Sequence, residues 1–230
     1  SNETPVTFRA AGTSLSGQAV SDSILLKLSH TGKNFRNYEI KGDGSEITVE
    51  PGLILGEVNR LLQAHKAKGG HEIQYKMGPD PSSIDSCMIG GVVANNSSGM
   101  CCGVKQNTYH TLKDMRIVFV DGTVLDTGDK ESRDSFMRTH KHLVEGVQDL
   151  ARRVQSDEEL TALIKKKFAI KCTTGYSINA LVDHDVNDPI EIIKRLMIGS
   201  EGTLGFVSQA TYKTVVDHPH KASAFIVFQD

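Results

Sequence analysis

At 230 residues, the chain is long enough to bury a sizeable core as one large domain or two small lobes. Its 26 basic and 28 acidic residues give a formal net charge of −2, without the basic surface that nucleic-acid binding requires. No apolar run approaches the roughly 20 residues of a transmembrane helix, and the start lacks a signal-peptide pattern, so we predict a cytoplasmic protein.

Cysteine and histidine are spread too widely to indicate a metal centre. The cysteines have no Cys-x-x-Cys spacing, and we expect them to be small buried residues in a reducing compartment. The nine histidines join no convincing cluster of acids. We therefore predict no metal ligand in this chain. The cysteines are Cys87, Cys101, Cys102 and Cys172.

The first apolar run, residues 6–8, predicts a strand that ends in a loop of small residues, RAAGTSLSGQ at 9–18. Gly12 and Gly17 permit positive φ, so successive backbone N–H groups and the loop hydroxyls can form a concave phosphate site without any basic side chain. A simple turn explains this segment, taken alone, about as well.

The Gly12-x-x-x-x-Gly17 spacing also resembles a P-loop. That motif needs Lys for the terminal phosphates and Ser or Thr for the metal, but Gln18 and Ala19 follow here. The sequence thus argues against a nucleoside triphosphatase.

The remaining pattern alternates strands and helices. Two strands are predicted near the start, separated by a polar stretch rich in turns, and Asp121-Gly122 predicts a hairpin. Predicted strands are 24–28, 46–50, 115–120, 123–126, 206–212 and 222–228. Predicted helices are 53–68, one tract through 132–154, 156–164 and 189–197.

Three further segments contain the small residues that a close ligand requires. Residues 77–83 form a stiff turn with two prolines, and residues 89–99 contain Gly90-Gly91, which is costly in a helix or strand unless a ligand or another backbone approaches closely. Residues 199–205 contain three glycines between a helix and a strand. Together with 9–18, they predict an elongated ligand held between two lobes. No Gly-x-Gly-x-x-Gly follows a strand, so usual Rossmann dinucleotide binding is not supported.

In this order, the four segments resemble the FAD-binding domain of the vanillyl-alcohol-oxidase-like, PCMH-type flavoproteins. The resemblance is strongest to the D-lactate dehydrogenase and glycolate oxidase branch. Stretches 99–103, 107–111 and 173–181 are similar to long bacterial members, which carry iron–sulfur modules elsewhere in the parent protein.

The resemblance implies an α+β fold, a two-lobed PCMH-type FAD-binding domain whose first lobe is truncated at its N-terminus. Residues 1–75 would be the remainder of lobe 1 and 76–220 would be lobe 2. Residues 221–230 would start the missing substrate, or cap, domain. The chain enters a predicted strand almost at once, and its final segment is a predicted strand that is cut off, so we expect a fragment of a longer protein.

The resemblance also implies which residues hold FAD. Ala10 and Ala11 replace two glycines of the family's usual run of three, which adds methyl groups beside the phosphates. Thr13 stands where some relatives attach flavin through His, so we predict non-covalent FAD. The implied residues are Ala10, Ala11, Gly12, Thr13, Ser14, Gly17, Pro79, Asp80, Gly90, Gly91, Asn96, Ser98, Gly99, Gly103, Gly202, Gly205, Phe206 and Val207.

The implied activity of the intact protein is oxidation of a D-2-hydroxy acid, with D-lactate as first choice. D-2-hydroxyglutarate and glycolate are alternatives within the fold, whereas an FAD-binding electron-transfer module and a flavin-free nucleotide-binding module are alternatives of other classes. Electrons would pass to a quinone, a cytochrome or an iron–sulfur module, and this electron acceptor would place the parent protein peripherally at the inner membrane. We expect the catalytic groups beyond Asp230, and therefore an inactive fragment.

Overall fold

The computed structural model describes residues 4–29, 31–222 and 224–228, and it confirms the α+β class. Its strands are β1 Val6–Arg9, β2 Ile24–Lys27, β3 Tyr38–Lys41, β4 Glu46–Val49, β5 Tyr75–Lys76, β6 Leu112–Val118, β7 Val124–Asp126, β8 Phe206–Lys213 and β9 Val215–Val216. Its helices are α1 Leu55–Gly69, α2 Ile89–Ala94, α3 Thr108–Thr111, α4 Lys130–Thr139, α5 Lys141–Ser156, α6 Glu158–Phe168, α7 Ala180–Asp183 and α8 Pro189–Met197.

A five-stranded antiparallel sheet forms the centre of the molecule, in the order β3-β4-β8-β6-β7. Side chains of β6 alternate between buried and more exposed positions, as expected for a strand that packs one face on a core. The predicted hairpin at Asp121-Gly122 joins β6 to β7, and Gly122 adopts a φ of 85° there. Tyr212 of β8 and Phe136 of α4 are among the largest fully buried side chains.

Two smaller sheets lie outside this centre. β1 and β2 pair in parallel, with Val6 opposite Ile24, and β5 pairs antiparallel with β9. The β1–β2 connection carries the first glycine-rich loop. A parallel pair places the end of β1 and the end of β2 at the same edge, so the loop after Arg9 starts at that edge.

Helix α8 begins as its sequence predicts. Asp188 is the N-cap, its side chain accepts a hydrogen bond from Glu191 N at 3.1 Å, and Pro189 occupies the first turn. The helix buries Ile190, Ile192 and Met197 and runs directly into the loop at 199–205. This packing anchors one wall of the site described below.

Three predicted elements differ from the structure. The helical tract at 132–154 is two helices, because His140 leaves helical geometry with φ −117° and ψ 38°. The polar stretch after β2 contains a strand, β3, whose hydrogen bonds come from β4. The strand predicted at 222–228 is wrong for the described residues 222 and 224–228: they pair with no described strand, and Phe225 is 93% exposed.

The division into residues 1–75, 76–220 and 221–230 stays a prediction. Strands from both sides of residue 75 share the central sheet, since β4 pairs with β8. The boundary itself falls within β5. Residues 223, 229 and 230 of the last predicted segment lie outside the described residues.

Candidate cofactor site

A large cleft lies between the loop after β1, helix α2 and the segment from α8 into β8. Its volume is about 1280 Å³, part of it open to solvent. The cleft brings together three of the four glycine-rich segments, and Pro81 and Ser83 of the fourth also reach it. Of the predicted site residues, those that line it are Ala10, Ala11, Gly12, Thr13, Ser14, Gly90, Gly91, Ser98, Gly202, Gly205, Phe206 and Val207.

The loop after β1 presents free backbone donors to the cleft. The N–H groups of residues 10–17 donate to no acceptor in the described part of the chain. Gly12 and Gly17 have φ values of 71° and 75°, which turn the backbone through a left-handed conformation that glycine adopts without strain. Within the loop, the Ser14 hydroxyl donates to Gln18 Oε1 at 2.5 Å. Such a row of unused N–H groups suits an anion.

The two glycines of α2 have different reasons to be glycine. A Cβ on Gly90 would lie 2.9 Å from Pro51 Cβ, so this position needs close contact within the protein. A Cβ on Gly91 would meet only Ala10 Cβ, at 3.8 Å. Gly91 therefore leaves space at the surface of α2 that faces the first loop.

The loop at 199–205 covers the C-terminal end of α2. Gly199 N donates to Val93 O at 3.1 Å, and Glu201 N donates to Ala94 O at 2.8 Å. The bond to Ala94 O satisfies a helix carbonyl that has no other donor among the described backbone groups, whereas Val93 O also accepts from Asn96 N at 3.1 Å. The two bonds from the loop require positive φ at three residues: 86° at Gly199, 53° at Glu201 and 78° at Gly202.

Six predicted residues lie outside the cleft lining. Asp80 accepts hydrogen bonds from the backbone N–H groups of Cys101 and Cys102 at 3.0 and 3.1 Å, and Asn96 Oδ1 accepts from Tyr109 N at 3.1 Å. These contacts shape the segments behind the cleft. Direct contact of the six with a cofactor stays a prediction. They are Gly17, Pro79, Asp80, Asn96, Gly99 and Gly103.

The cleft contains charged residues that the sequence analysis did not assign. Arg9 and Lys171 line it, although the sequence analysis invoked no basic side chain for the anion site. The guanidinium of Arg9 packs against Gly12. Arg9 is the only basic residue of the 9–18 segment, so the sequence could have assigned it to the anion site. Nothing in the sequence around Lys171 indicates that it lines the cleft. Glu201 is the acidic residue of the lining.

Burial controls the titration of the cleft's acidic groups. It raises the pKa of Glu201, and the side-chain hydrogen bond from Asn95 opposes that rise. It also raises the pKa of Cys87, which disfavours a thiolate nucleophile there. The expectation of buried cysteines holds for Cys87 and Cys102, but Cys101 is exposed because the loop around it lies at the surface.

Polar groups without hydrogen-bond partners make the cleft suitable for FAD. Arg9 Nε and Ser98 Oγ are buried and have no hydrogen-bond partner among the described residues, and the N–H groups of the first loop are free as well. A diphosphate can accept from several such donors, and a long cofactor can span the distance between the loop and α2.

Two further features are absent from the described residues. There, no three His, Cys, Asp or Glu side chains are grouped so that they could hold a metal ion. No described helix has the length and apolar character needed to cross a membrane.

Comparison with known proteins agrees with this geometry. Residues 1–128 match the family described as "FAD binding domain". Glycolate oxidase subunit GlcD from Escherichia coli (strain K12) is 35% identical over 127 residues, which are 54% of this chain and 23% of that protein.

Two further relatives align over most of the chain. D-lactate dehydrogenase [cytochrome] 1, mitochondrial, from Saccharomyces cerevisiae is 27% identical over 99% of this chain and 28% of its own length. D-2-hydroxyglutarate dehydrogenase from Haemophilus influenzae is 24% identical over 89% of this chain and 19% of its own length. The chain thus spans between 19% and 28% of the length of these three relatives.

A solved structure supports the fold. Alkyldihydroxyacetonephosphate synthase superposes with a TM-score of 0.50 at 16% identity, over 92% of this chain and 27% of that one. The family match covers more than half of the chain, and the predicted resemblance to PCMH-type flavoproteins is confirmed. The chain belongs to the FAD binding domain family.

Proposed function

We propose that this chain is the FAD-holding part of a dehydrogenase that oxidises a D-2-hydroxy acid to the 2-oxo acid, with D-lactate as the preferred substrate and pyruvate as the product. The observation that carries the proposal is the cleft, which is lined by the first loop and by Arg9 and Ser98. The loop N–H groups, Arg9 Nε and Ser98 Oγ have no hydrogen-bond partner among the described residues. The names of three relatives, each a hydroxy-acid oxidase or dehydrogenase, supply the reaction class.

Bound FAD would supply the two-electron chemistry, by accepting the hydrogen that leaves C2 of the hydroxy acid as hydride. The residues of this chain bind and orient it. The loop at 10–14 would hold the diphosphate, while Gly91 and Ser98 would line the flavin. Thr13 offers no imidazole for a covalent link, so the bound FAD would be dissociable. We assign no residue of this chain to removal of the hydroxyl proton.

D-lactate is the first choice because the yeast D-lactate dehydrogenase aligns over 99% of the chain. Glycolate and D-2-hydroxyglutarate remain the competing substrates, since proteins with those names align as well. The proposed electron acceptor is a quinone, a cytochrome or an iron–sulfur module of the parent protein, at a cytoplasmic location peripheral to the inner membrane. A domain that only binds FAD and relays electrons is the alternative of another class.

Reduction of bound flavin tests the proposal. The full-length parent protein, loaded with FAD under anaerobic conditions, is expected to lose its oxidised-flavin absorbance on addition of D-lactate but not L-lactate. D-2-hydroxyglutarate and glycolate form the parallel arms. Bleaching by one of these alone would reassign the substrate. A parent that binds FAD but is bleached by none of them would support the electron-transfer alternative.

A further inference from the structure

The carboxylate of Asp80 lies just outside the cleft lining, although other residues of the 77–83 turn reach the cleft. Its two oxygens accept hydrogen bonds from adjacent backbone groups: Oδ2 from Cys101 N at 3.0 Å and Oδ1 from Cys102 N at 3.1 Å. Such bonds to a charged group are about twice as strong as bonds between neutral groups. Asp80 therefore holds the backbone turn at 99–102 with both of its oxygens.

Gly99 packs directly against Asp80. A Cβ on Gly99 would lie 2.0 Å from Asp80 O and 2.1 Å from Asp80 Oδ1, so no side chain fits between the two residues. The φ of Gly99 is not positive, so the closeness of Asp80, and not backbone strain, requires glycine here. Gly99 N also donates to Cys102 Sγ at 3.0 Å. Both ends of the turn are thus fixed on Asp80.

Ser98 is the residue that this arrangement holds at the cleft. It lines the cleft and is only 8% exposed, and its Oγ is buried without a hydrogen-bond partner among the described residues. The residues on both sides of it are fixed: Ser97 N donates to Val92 O at 2.9 Å, and Gly99 is packed against Asp80. A buried polar group without a partner costs free energy, so a ligand that supplies the partner binds more tightly.

We propose that Asp80 is a positioning residue for the flavin: its carboxylate holds the turn at 99–102, and the turn holds the Ser98 hydroxyl where it hydrogen-bonds to a polar atom of the flavin ring. Asp80 acts through this turn and not by direct contact with FAD. The inference rests on the proposed binding of FAD in the cleft, with the flavin beside Ser98. A carboxylate suits the position because each of its oxygens accepts one backbone N–H group, whereas the amide of Asn has a single acceptor oxygen.

A double-mutant cycle on Asp80 and Ser98 in the full-length parent protein tests this link, with the dissociation constant for FAD measured by fluorescence titration. Ser98→Ala removes the hydroxyl, and Asp80→Asn removes one acceptor with little change in size. Each is expected to weaken FAD binding about fivefold, the effect of one lost hydrogen bond. The double variant should lose no more than either single variant, because both changes remove the same contact. A combined loss of about 25-fold, or a loss below about twofold in either single variant, would overturn the inference.

The absorbance spectrum of the bound flavin separates positioning from general stability. Hydrogen bonds to the ring tune its electronic properties, so at saturating FAD Ser98→Ala and Asp80→Asn should shift the visible bands in the same way. A loss of fold stability alone would leave that spectrum unchanged. An unshifted spectrum for Asp80→Asn would therefore contradict the positioning role.

Asp85→Asn is the matched control for Asp80→Asn. Asp85 is an exposed carboxylate further along the same part of the chain, and it pairs with Arg60 at 3.5 Å outside the cleft lining. This variant is expected to keep both the FAD affinity and the flavin spectrum of the unsubstituted protein. Equal effects of Asp85→Asn and Asp80→Asn would assign the result to the loss of a charge and not to the turn, against the inference.

Gly99→Ala changes the same turn from its other side, and it serves as the test if Asp80→Asn does not fold. Its methyl group needs the space that Asp80 O occupies, so the turn must move away from Asp80. The variant is expected to reproduce the loss of affinity and the shifted spectrum. FAD affinity and a spectrum equal to those of the unsubstituted protein would count against the positioning role.

The unsubstituted protein distinguishes the two levels of proposal. If it does not bind FAD, the proposed function of the cleft fails, and the role of Asp80 fails with it. If it binds FAD and the Asp80, Ser98 and Gly99 variants bind FAD equally well with unshifted spectra, only the role of Asp80 fails.

Discussion

Gly12 needs to be glycine for two reasons, its backbone conformation and the lack of space for a side chain. Its φ of 71° favours glycine, and an added Cβ would lie 2.5 Å from Arg9 Nε. Gly17 has a similar φ of 75°, but a Cβ there would meet nothing within 4 Å. A substitution at Gly12 would therefore strain the backbone and displace the Arg9 guanidinium, whereas a substitution at Gly17 would only strain the backbone.

We expect Gly12→Val to weaken FAD binding by tenfold or more, because about 1–3 kcal/mol of backbone strain adds to displacement of Arg9. Gly17→Val is the matched control and should lose less, since it carries the strain alone. Titration of each purified variant with FAD measures the difference. Equal affinities for Gly12→Val and the unsubstituted protein would count against the loop assignment.

Helix α8 shows how an element outside the cleft supports it. Lys194, only 5% exposed at its side chain, donates to Lys113 O at 2.6 Å and pairs with Glu191 at 2.5 Å. Arg195 Nε pairs with the same carboxylate at 2.8 Å. The bond to Lys113 O fastens α8 to β6, while the two ion pairs with Glu191 lie within α8. The loop at 199–205 follows the helix directly. The wall of the cleft therefore depends on a largely buried ion cluster.

This cluster predicts acid sensitivity. Burial acts to raise the pKa of Glu191, but the hydrogen bonds and charges of Lys194 and Arg195 outweigh it, so the pKa is lowered on folding. A lowered carboxyl pKa contributes stability above the unfolded value, about 4.3, and that contribution is lost as pH falls through the folded pKa.

Thermal unfolding of the Glu191→Gln variant between pH 7 and pH 3 tests whether the Glu191 carboxylate loses its stabilising contribution as the pH falls. The variant should be less stable by about 1.5–3 kcal/mol at pH 7, because hydrogen bonds to charged groups are lost. The difference in stability between the variant and the unsubstituted protein should become smaller below pH 4. A constant gap across this range would contradict the assigned role of the Glu191 carboxylate.

For the whole molecule, FAD binding must couple to folding. The cleft walls come from segments as distant as residues 10–14 and 202–207, so a ligand that spans them binds the folded chain alone. At a free concentration 100 times its dissociation constant, such a ligand stabilises the fold by about 2.7 kcal/mol.

We therefore expect saturating FAD to raise the melting temperature by about 5–10 °C in a chain of this size. Riboflavin, which lacks the diphosphate, is the control and should give a clearly smaller shift. Differential scanning fluorimetry with a reporter that does not overlap flavin emission measures both. Equal shifts for the two ligands would contradict diphosphate binding by the first loop.

The sequence alone was sufficient for features that depend on local physics. Helix α8 was predicted with the observed bounds, because Pro189 and the apolar spacing act within a few residues. The hairpin at Asp121-Gly122 and the glycine-rich segments were predictable for the same reason: positive φ and turn chemistry are properties of single residues and their neighbours. The order of these segments also indicated the FAD-binding family.

Only the tertiary structure decided which groups face the cleft. Edge strand β3 forms because β4 supplies its hydrogen bonds, and the strand predicted at 222–228 does not form in its described residues because no described strand pairs with them. Lys171 and Glu201 reach the cleft through packing of segments that are far apart in sequence. Hydrogen-bond partners and burial depend on such long-range contacts, which the residues next to a given position in the sequence do not determine.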